Sequence, residues 1–180
     1  LSLYRLRSQP GPRCRRRSTP AASPRLCVDA GPSVSEALIW DRDRLDWPNS
    51  ACSRFVNAGG LRWHVQCVGS GPVMLLIHGT GASTHSWDGL MSALAARYTL
   101  IAMDLPGHAF TGTPPVRQMS LPGMSELVAA LVDELAIDVD VVVGHSAGAA
   151  IAARTKDTST GVAARCLMLT SVPTVVTSAV

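Results

Sequence analysis

The segment Gly144-His-Ser-Ala-Gly148 is the strongest candidate for chemistry in this sequence of 180 residues. It matches the pattern G-x-S-x-G, directly after an apolar run and directly before a helical pattern. The turn is so tight that Ser146 is expected in a strained conformation, with its hydroxyl projecting from a sheet as a nucleophile. Because Gly144 and Gly148 lack a Cβ, strand and helix can approach closely. The alternative is a purely structural tight turn.

A serine that attacks a carbonyl needs two N–H donors for the oxyanion that develops. We predict that Ala147 supplies one, because its N–H lies at a helix N-terminus, where anions are favoured. The segment His78-Gly-Thr-Gly81 follows another apolar run, and we predict the second donor at Thr80. Gly79 and Gly81 would let this backbone turn its amides inward. The alternative is a structural glycine-rich turn whose histidine is a packing residue.

A third apolar run is followed by Asp104-Leu-Pro-Gly-His108. Although ligands bind at the carboxyl ends of parallel strands, we favour a structural role for Asp104, through hydrogen bonds that fix its own loop. The other histidines have different expected positions: His108 and His85 at the mouth of a pocket, His145 packed behind the nucleophile, and His64 at the surface or edge of the sheet.

Alternating strand and helix patterns are expected to position these residues. Apolar runs predict parallel strands buried on both faces, at Val73–Ile77, Tyr98–Met103, Val139–Val143 and Cys166–Thr170. Helical spacing of apolar residues predicts helices over 87–97, 124–135 and 147–154. Segments 53–57 and 61–68, joined by a glycine turn, predict an antiparallel hairpin. The sequence therefore predicts an α/β fold with a mostly parallel sheet and helices on both faces.

Charge is distributed unevenly along the chain. Residues 1–25 hold seven arginines and no acid, whereas residues 26–180 hold nine basic and thirteen acidic residues, a net charge of −4. We interpret residues 1–35, rich in Arg, Pro and Ser, as a disordered tail; the alternative is an arm for an anionic partner. Residues 36–180 are the one expected domain, and their acidic balance argues against nucleic-acid binding.

Composition excludes several further classes. The five cysteines are widely spaced without a C-x-x-C pair, which argues against a disulfide framework or zinc site and favours a reducing cytoplasm. No apolar window is long enough for a transmembrane helix. The nucleoside-triphosphate pattern G-x-x-x-x-G-K-[ST] is missing. We expect no cofactor and no metal.

The order of these motifs resembles the α/β-hydrolase superfamily from about Ser53 to Thr170. Longer phrases are similar to the bacteriochlorophyll-biosynthesis hydrolases known as magnesium chelatase accessory proteins; they are Asp46-Trp-Pro-Asn49, Gly59–Gln66, His78–Trp87, Ser120–Met124 and Gly144–Ala150. The resemblance implies a serine hydrolase that acts on an ester or related carbonyl of a hydrophobic small molecule, such as a tetrapyrrole intermediate, in an accessory role beside magnesium chelatase. The alternative is a non-catalytic scaffold that presents a tetrapyrrole or the chelatase. Dehalogenase chemistry is disfavoured because it needs a carboxylate at position 146.

The sequence departs from the family after its nucleophile. Members place an acid and then a histidine after the serine, but here no histidine follows His145 and the only later acid, Asp157, comes too soon. Residues 155–180 also depart from the family. Ala109 lies at a position where members of the family usually have glycine. We therefore expect a C-terminally incomplete copy with negligible esterase activity as written, whose apolar edge strand at Cys166–Thr170 favours aggregation.

Overall fold

The computed structural model describes residues 37–158 and 165–169, apart from the side chains of residues 156–158. The predicted tail at residues 1–35 and most of the divergent segment 155–180 lie outside the described residues. The statements below refer to the described part of the chain. No helix in it has the length and apolar character needed to cross a bilayer.

Six strands form one sheet, in the spatial order β1-β2-β4-β3-β5-β6. Their bounds are β1 Ser53–Ala58, β2 Leu61–Val68, β3 Val73–Ile77, β4 Thr99–Met103, β5 Val141–His145 and β6 Arg165–Leu169. Strands β1 and β2 form the antiparallel hairpin, and β2 also pairs antiparallel with β4. The pairs β3–β4, β3–β5 and β5–β6 are parallel. The predicted α/β fold with a mostly parallel sheet is confirmed.

Helices cover both faces of this sheet, as predicted. They are α1 Trp40–Asp43, α2 Asp88–Leu94, α3 Leu121–Leu135 and α4 Ala147–Thr158, with short 3-10 turns at Ser50–Cys52, Thr84–Trp87 and Val116–Gln118. On one face, Leu75 and Ile77 of β3 share a core cluster with Leu131 of α3 and Ile151 of α4. On the other face, a second cluster joins β3 and β4 to Met91 of α2. The sheet is therefore buried between two helical layers.

Helix boundaries differ from the prediction where capping determines them. Helix α3 begins at Leu121 rather than at residue 124, because the Ser120 hydroxyl accepts the Gly123 N–H at 3.4 Å and Pro122 fits the first turn. Helix α2 is shorter than the predicted 87–97, because it begins at Asp88, after the 3-10 turn Thr84–Trp87, and ends at Leu94. The apolar period marks the buried face of a helix, and it carries no information on its ends.

The register of the parallel strands brings three of the predicted motifs to one level. Ile77, the last residue of β3, pairs with Met103 on β4 and with Gly144 on β5. The loops that begin at His78 and Asp104, and the turn at Ser146, therefore leave the same edge of the sheet side by side.

The far edge of the described sheet is β6. Its Leu167 is 51% exposed and its Met168 is 64% exposed. The strand lies one residue earlier than the predicted Cys166–Thr170, at Arg165–Leu169. Aggregation through this edge stays a prediction.

Candidate active site

The turn between β5 and α4 holds Ser146 in a backbone conformation that serine rarely adopts. Its φ is +53°, in the left-handed region. The turn needs glycine on both sides: a Cβ at Gly144 would lie 2.5 Å from the Cα of Ala149, and one at Gly148 would collide with the carbonyl oxygen of Ile77. The exposed serine therefore stands on a strained turn clamped between strands and helix.

The loop after β3 packs directly on this turn. A Cβ at Gly79 would lie 3.0 Å from the Cβ of Ser146 and 3.1 Å from the carbonyl oxygen of His145. Gly81, two residues later, has a φ of +73°, which glycine adopts without penalty. The two glycines thus allow the loop to approach the serine and then turn away from it.

One cavity of about 290 Å³ joins the loop to the turn. Thr80 and Ala147 both line it, and the N–H of neither residue donates a hydrogen bond within the described part of the chain. The rest of the lining is mostly apolar: Leu105, His108, Met119, Leu121, Met124, Ala150 and Ile151. Two N–H groups without partners, on residues that line an apolar cavity, can bind an oxyanion that develops on a substrate held there.

His78 ties the β3 loop to the loop after β4. Its buried ring has Nδ1 2.7 Å from the carbonyl oxygen of Gly79, while its Nε2 accepts the N–H of Leu105 at 2.8 Å. The imidazole therefore carries its proton on Nδ1. Burial lowers the pKa of His78, and this outweighs the opposite effects of the Gly79 carbonyl and the nearby Asp104. The neutral ring thus connects two loops of the site through its hydrogen bonds.

Asp104 is fully buried and anchors more than its own loop. Its carboxylate accepts the N–H of Phe110 at 3.3 Å within the loop, and also the N–H of Thr84 at 2.7 Å. The Nδ1 of His64 lies 2.7 Å from the same carboxylate. The predicted structural role agrees with these contacts, which extend to the end of the β3 loop and to β2.

The predicted position of His64, at the surface or edge of the sheet, is wrong. This residue is fully buried, and four aromatic rings, Trp40, Trp47, Phe55 and Phe110, lie within 6.4 Å of its ring. Trp40 and Trp47 precede the sheet in sequence and cover the outer hairpin. Strand alternation alone does not show this cover, because it comes from a segment without an apolar period.

The remaining histidines separate into one cavity residue and two others. His108 lines the cavity, and its Nε2 accepts the N–H of Gly81 at 3.3 Å. His85 is not among the lining residues and packs on Trp47 with ring centroids 5.6 Å apart. His145 is half-buried, and its Nδ1 has no partner within the described residues. The expected place at the pocket mouth therefore holds for His108 and not for His85.

Several cavity residues were not predicted from the sequence. Met119 and Leu121 come from the segment that leads into α3, and Ala150 and Ile151 come from the first turns of α4. A signal existed for the α4 pair, because residues one turn after a nucleophilic serine face the same side as its hydroxyl. For the segment before α3, the sequence showed only a proline-rich loop.

Comparison with known proteins identifies the family. Residues 74–179, more than half of the chain, match the model of the alpha/beta hydrolase family. The chain belongs to this family. The match includes both the β3 loop and the serine turn, so the resemblance inferred from the motifs is confirmed.

Curated relatives of this alpha/beta hydrolase have varied names. The chain is 38% identical over 109 residues to the magnesium-chelatase 30 kDa subunit of Rhodobacter capsulatus, which covers 59% of the chain and 38% of that subunit. It is 40% identical over 100 residues to epoxide hydrolase 3 of Siraitia grosvenorii, covering 54% of the chain and 31% of the relative. The chain thus spans between about a third and two fifths of these relatives.

Solved structures of hydrolases superpose on a large part of the chain. The epoxide hydrolase VrEH1 of Vigna radiata superposes with a TM-score of 0.58 at 29% identity, over 65% of the chain and 39% of that structure. The epoxide hydrolase CorEH superposes with a TM-score of 0.60 at 28% identity, over 64% of the chain and 41% of that structure. About two thirds of the chain therefore shares the fold of these solved epoxide hydrolases.

Proposed function

We propose that this chain carries the nucleophile and the oxyanion-binding groups of a serine hydrolase. Ser146 attacks the carbonyl carbon of an ester or related substrate, and the N–H groups of Thr80 and Ala147 hold the oxyanion. The observation that carries the proposal is the packing of Gly79 on Ser146, which brings the strained serine next to a cavity lined by Thr80 and Ala147. His78, Gly81 and Asp104 support this arrangement through the two loops.

The cavity indicates the part of the substrate that binds. Its volume of about 290 Å³ and its methionine and leucine lining suit an apolar group of modest size. A tetrapyrrole macrocycle is larger than this, so a tetrapyrrole intermediate would insert only an ester-bearing arm. We therefore propose a hydrophobic small-molecule ester, with the bulk of a large substrate outside the cavity.

An accessory role beside magnesium chelatase in bacteriochlorophyll biosynthesis is part of the same proposal. Its support is the 38% identity to the magnesium-chelatase 30 kDa subunit, together with the phrases that surround the β3 loop and the serine turn. The intact pair of oxyanion donors favours an enzyme over a scaffold, because a scaffold has no use for them.

The resemblance implies a histidine after the serine as the general base of this reaction, and no histidine follows His145 among the 180 residues. Loss of the base from a serine triad costs on the order of 10⁶ in turnover. We therefore expect negligible esterase turnover from this polypeptide alone. Added imidazole can take the place of the missing base.

The test is hydrolysis of p-nitrophenyl butyrate by the full chain, with and without imidazole. We expect imidazole to produce an ester hydrolysis that the Ser146→Ala variant lacks, after subtraction of the reaction of imidazole itself. Ser92→Ala, which removes an exposed serine of α2 that does not line the cavity, serves as the control and should behave as the wild type. Equal rates for the wild type and Ser146→Ala would contradict the hydrolase and favour the scaffold.

A further inference from the structure

A second serine of the chain is hydrogen-bonded to a histidine. The Oγ of Ser53 lies 2.9 Å from Nε2 of His64, and Nδ1 of the same ring lies 2.7 Å from the carboxylate of Asp104. Within the described residues, Ser53 is the one serine whose hydroxyl contacts an imidazole. Serine, histidine and aspartate in this order are the arrangement that activates a serine for nucleophilic attack.

The hydrogen bonds determine where the protons lie. The Asp104 carboxylate already accepts the N–H groups of Thr84 and Phe110, so it acts as an acceptor toward His64 as well. The ring proton is therefore on Nδ1, and Nε2 is left with a lone pair. Consequently the Ser53 hydroxyl donates a hydrogen bond to Nε2, which is the arrangement that a general base requires.

Aromatic rings enclose the imidazole of His64 and hold it in place. The ring centroids of Trp40, Phe55 and Phe110 lie 5.0, 5.4 and 5.3 Å from that of His64. The ring is fully buried, and its two nitrogen atoms contact the carboxylate of Asp104 and the hydroxyl of Ser53. The imidazole is therefore fixed in one orientation toward the Ser53 hydroxyl.

In the hydrogen-bonded series Ser53–His64–Asp104, which we call the relay, the serine is partly exposed to solvent, whereas the histidine is buried. Ser53 is the first residue of β1, the outer strand of the hairpin, and is half-buried, whereas His64 is fully buried. The Nε2 of Gln66 donates to the Ser53 oxygen at 3.1 Å and so helps to fix it. Neither Ser53 nor His64 lines the cavity beside Ser146. Ser53 and His64 therefore lie outside the cavity of the proposed hydrolase site, and Asp104 is the residue that the relay shares with the loops supporting that site.

We infer that Ser53 is a second nucleophilic serine, which reacts with small activated acyl or phosphoryl compounds. With a phosphorofluoridate, a bond forms between Ser53 Oγ and phosphorus while the phosphorus–fluorine bond breaks. His64 takes the hydroxyl proton on Nε2 and releases it to solvent, and fluoride leaves as the anion. The product is a phosphorylated serine, formed once per chain, so the reaction does not amount to turnover.

The experiment is labelling of the full chain with diisopropyl fluorophosphate, followed by peptide mass spectrometry. We expect the adduct on Ser53 in the wild type and in Ser146→Ala, and its loss in Ser53→Ala. In His64→Gln, labelling of Ser53 should slow by at least about 100-fold, the usual contribution of a general base. If Ser146 is labelled and Ser53 carries no adduct in the wild type, the inference is overturned.

An internal comparison keeps the test decisive should His64→Gln fail to fold. Ser92 is exposed and has no contact with a histidine in the described chain. In the same wild-type digest, the Ser53 peptide should carry at least about 100 times more adduct than the Ser92 peptide. Similar labelling of the two serines would show that the Ser53 network is purely structural.

Discussion

Gly79 lies against Ser146 so closely that a Cβ at position 79 would be 3.0 Å from the serine Cβ. This contact fixes the distance between the β3 loop and the serine turn. The register of β3 and β5, which pairs Ile77 with Gly144, makes the contact possible. The proposed nucleophile and its proposed oxyanion donors depend on it, because Thr80 of the β3 loop and Ala147 of the serine turn line the same cavity.

Substitution Gly79→Ala is therefore expected to disable the site. The added methyl group would also meet the carbonyl oxygen of His145 at 3.1 Å, so the loop or the turn must shift. We expect the imidazole-supported, Ser146-dependent ester hydrolysis to fall by about tenfold or more, since small misplacements of reacting groups have large kinetic effects. Gly112→Ala is the matched control, because its new Cβ would have only ordinary contacts at 3.8 Å. Unchanged hydrolysis in Gly79→Ala would contradict the role of this contact.

The lowered pKa of His78 predicts a loss of stability in mild acid. The ordinary pKa of histidine, 6.5, applies to the unfolded chain, whereas burial keeps the pKa of His78 lower in the folded state. Below pH 6.5 the unfolded chain therefore binds more protons, and the free energy of unfolding decreases as the pH falls. Protonation of Nε2 would also break its hydrogen bond with Leu105.

Denaturant unfolding at a series of pH values measures this effect. The loss of stability between neutral pH and mild acid should be smaller in His78→Gln than in the wild type. His85→Gln, a change at an exposed histidine, should keep the wild-type pH dependence. If His78→Gln and the wild type lose stability in parallel, His78 is not the group responsible.

Ala109 adopts a backbone conformation that suits glycine better. Its φ is +41°, in the left-handed region that favours glycine. We expect Ala109→Gly to stabilise the chain by about 0.5–1 kcal/mol, because it relieves this strain. Ala95→Gly, at a φ of −57°, should instead destabilise by up to about 1 kcal/mol. Thermal unfolding distinguishes the two, and a destabilised Ala109→Gly would refute the strain at this position.

Residues that act through backbone geometry could be predicted from the sequence. Gly144, Gly148 and Ser146 form a turn whose pattern is local, so five consecutive residues were sufficient to predict the strain and the close approach that the structure shows. The strand before each motif was equally visible, because a strand buried on both faces is a continuous apolar run, although β5 runs from Val141 to His145 and not over the predicted Val139–Val143.

Contacts between distant segments could not be predicted in this way. The burial of His64 depends on Trp40 and Trp47, which belong to a short helix and a turn without a periodic pattern. The link between His64 and Asp104 joins β2 to the loop after β4 and is separated by 40 positions. Such contacts follow from strand pairing, which one sequence does not specify residue by residue.

The central claim is that Ser146 and the N–H groups of Thr80 and Ala147 form one site. The most direct measurement is the amide NMR spectrum of the full chain during titration with butylboronic acid, which forms a tetrahedral, anionic adduct on a serine hydroxyl. We predict that the amide protons of Thr80 and Ala147 shift downfield together in the wild type and do not shift in Ser146→Ala. Unchanged amide positions in the wild type, or equal shifts in Ser146→Ala, would contradict the claim.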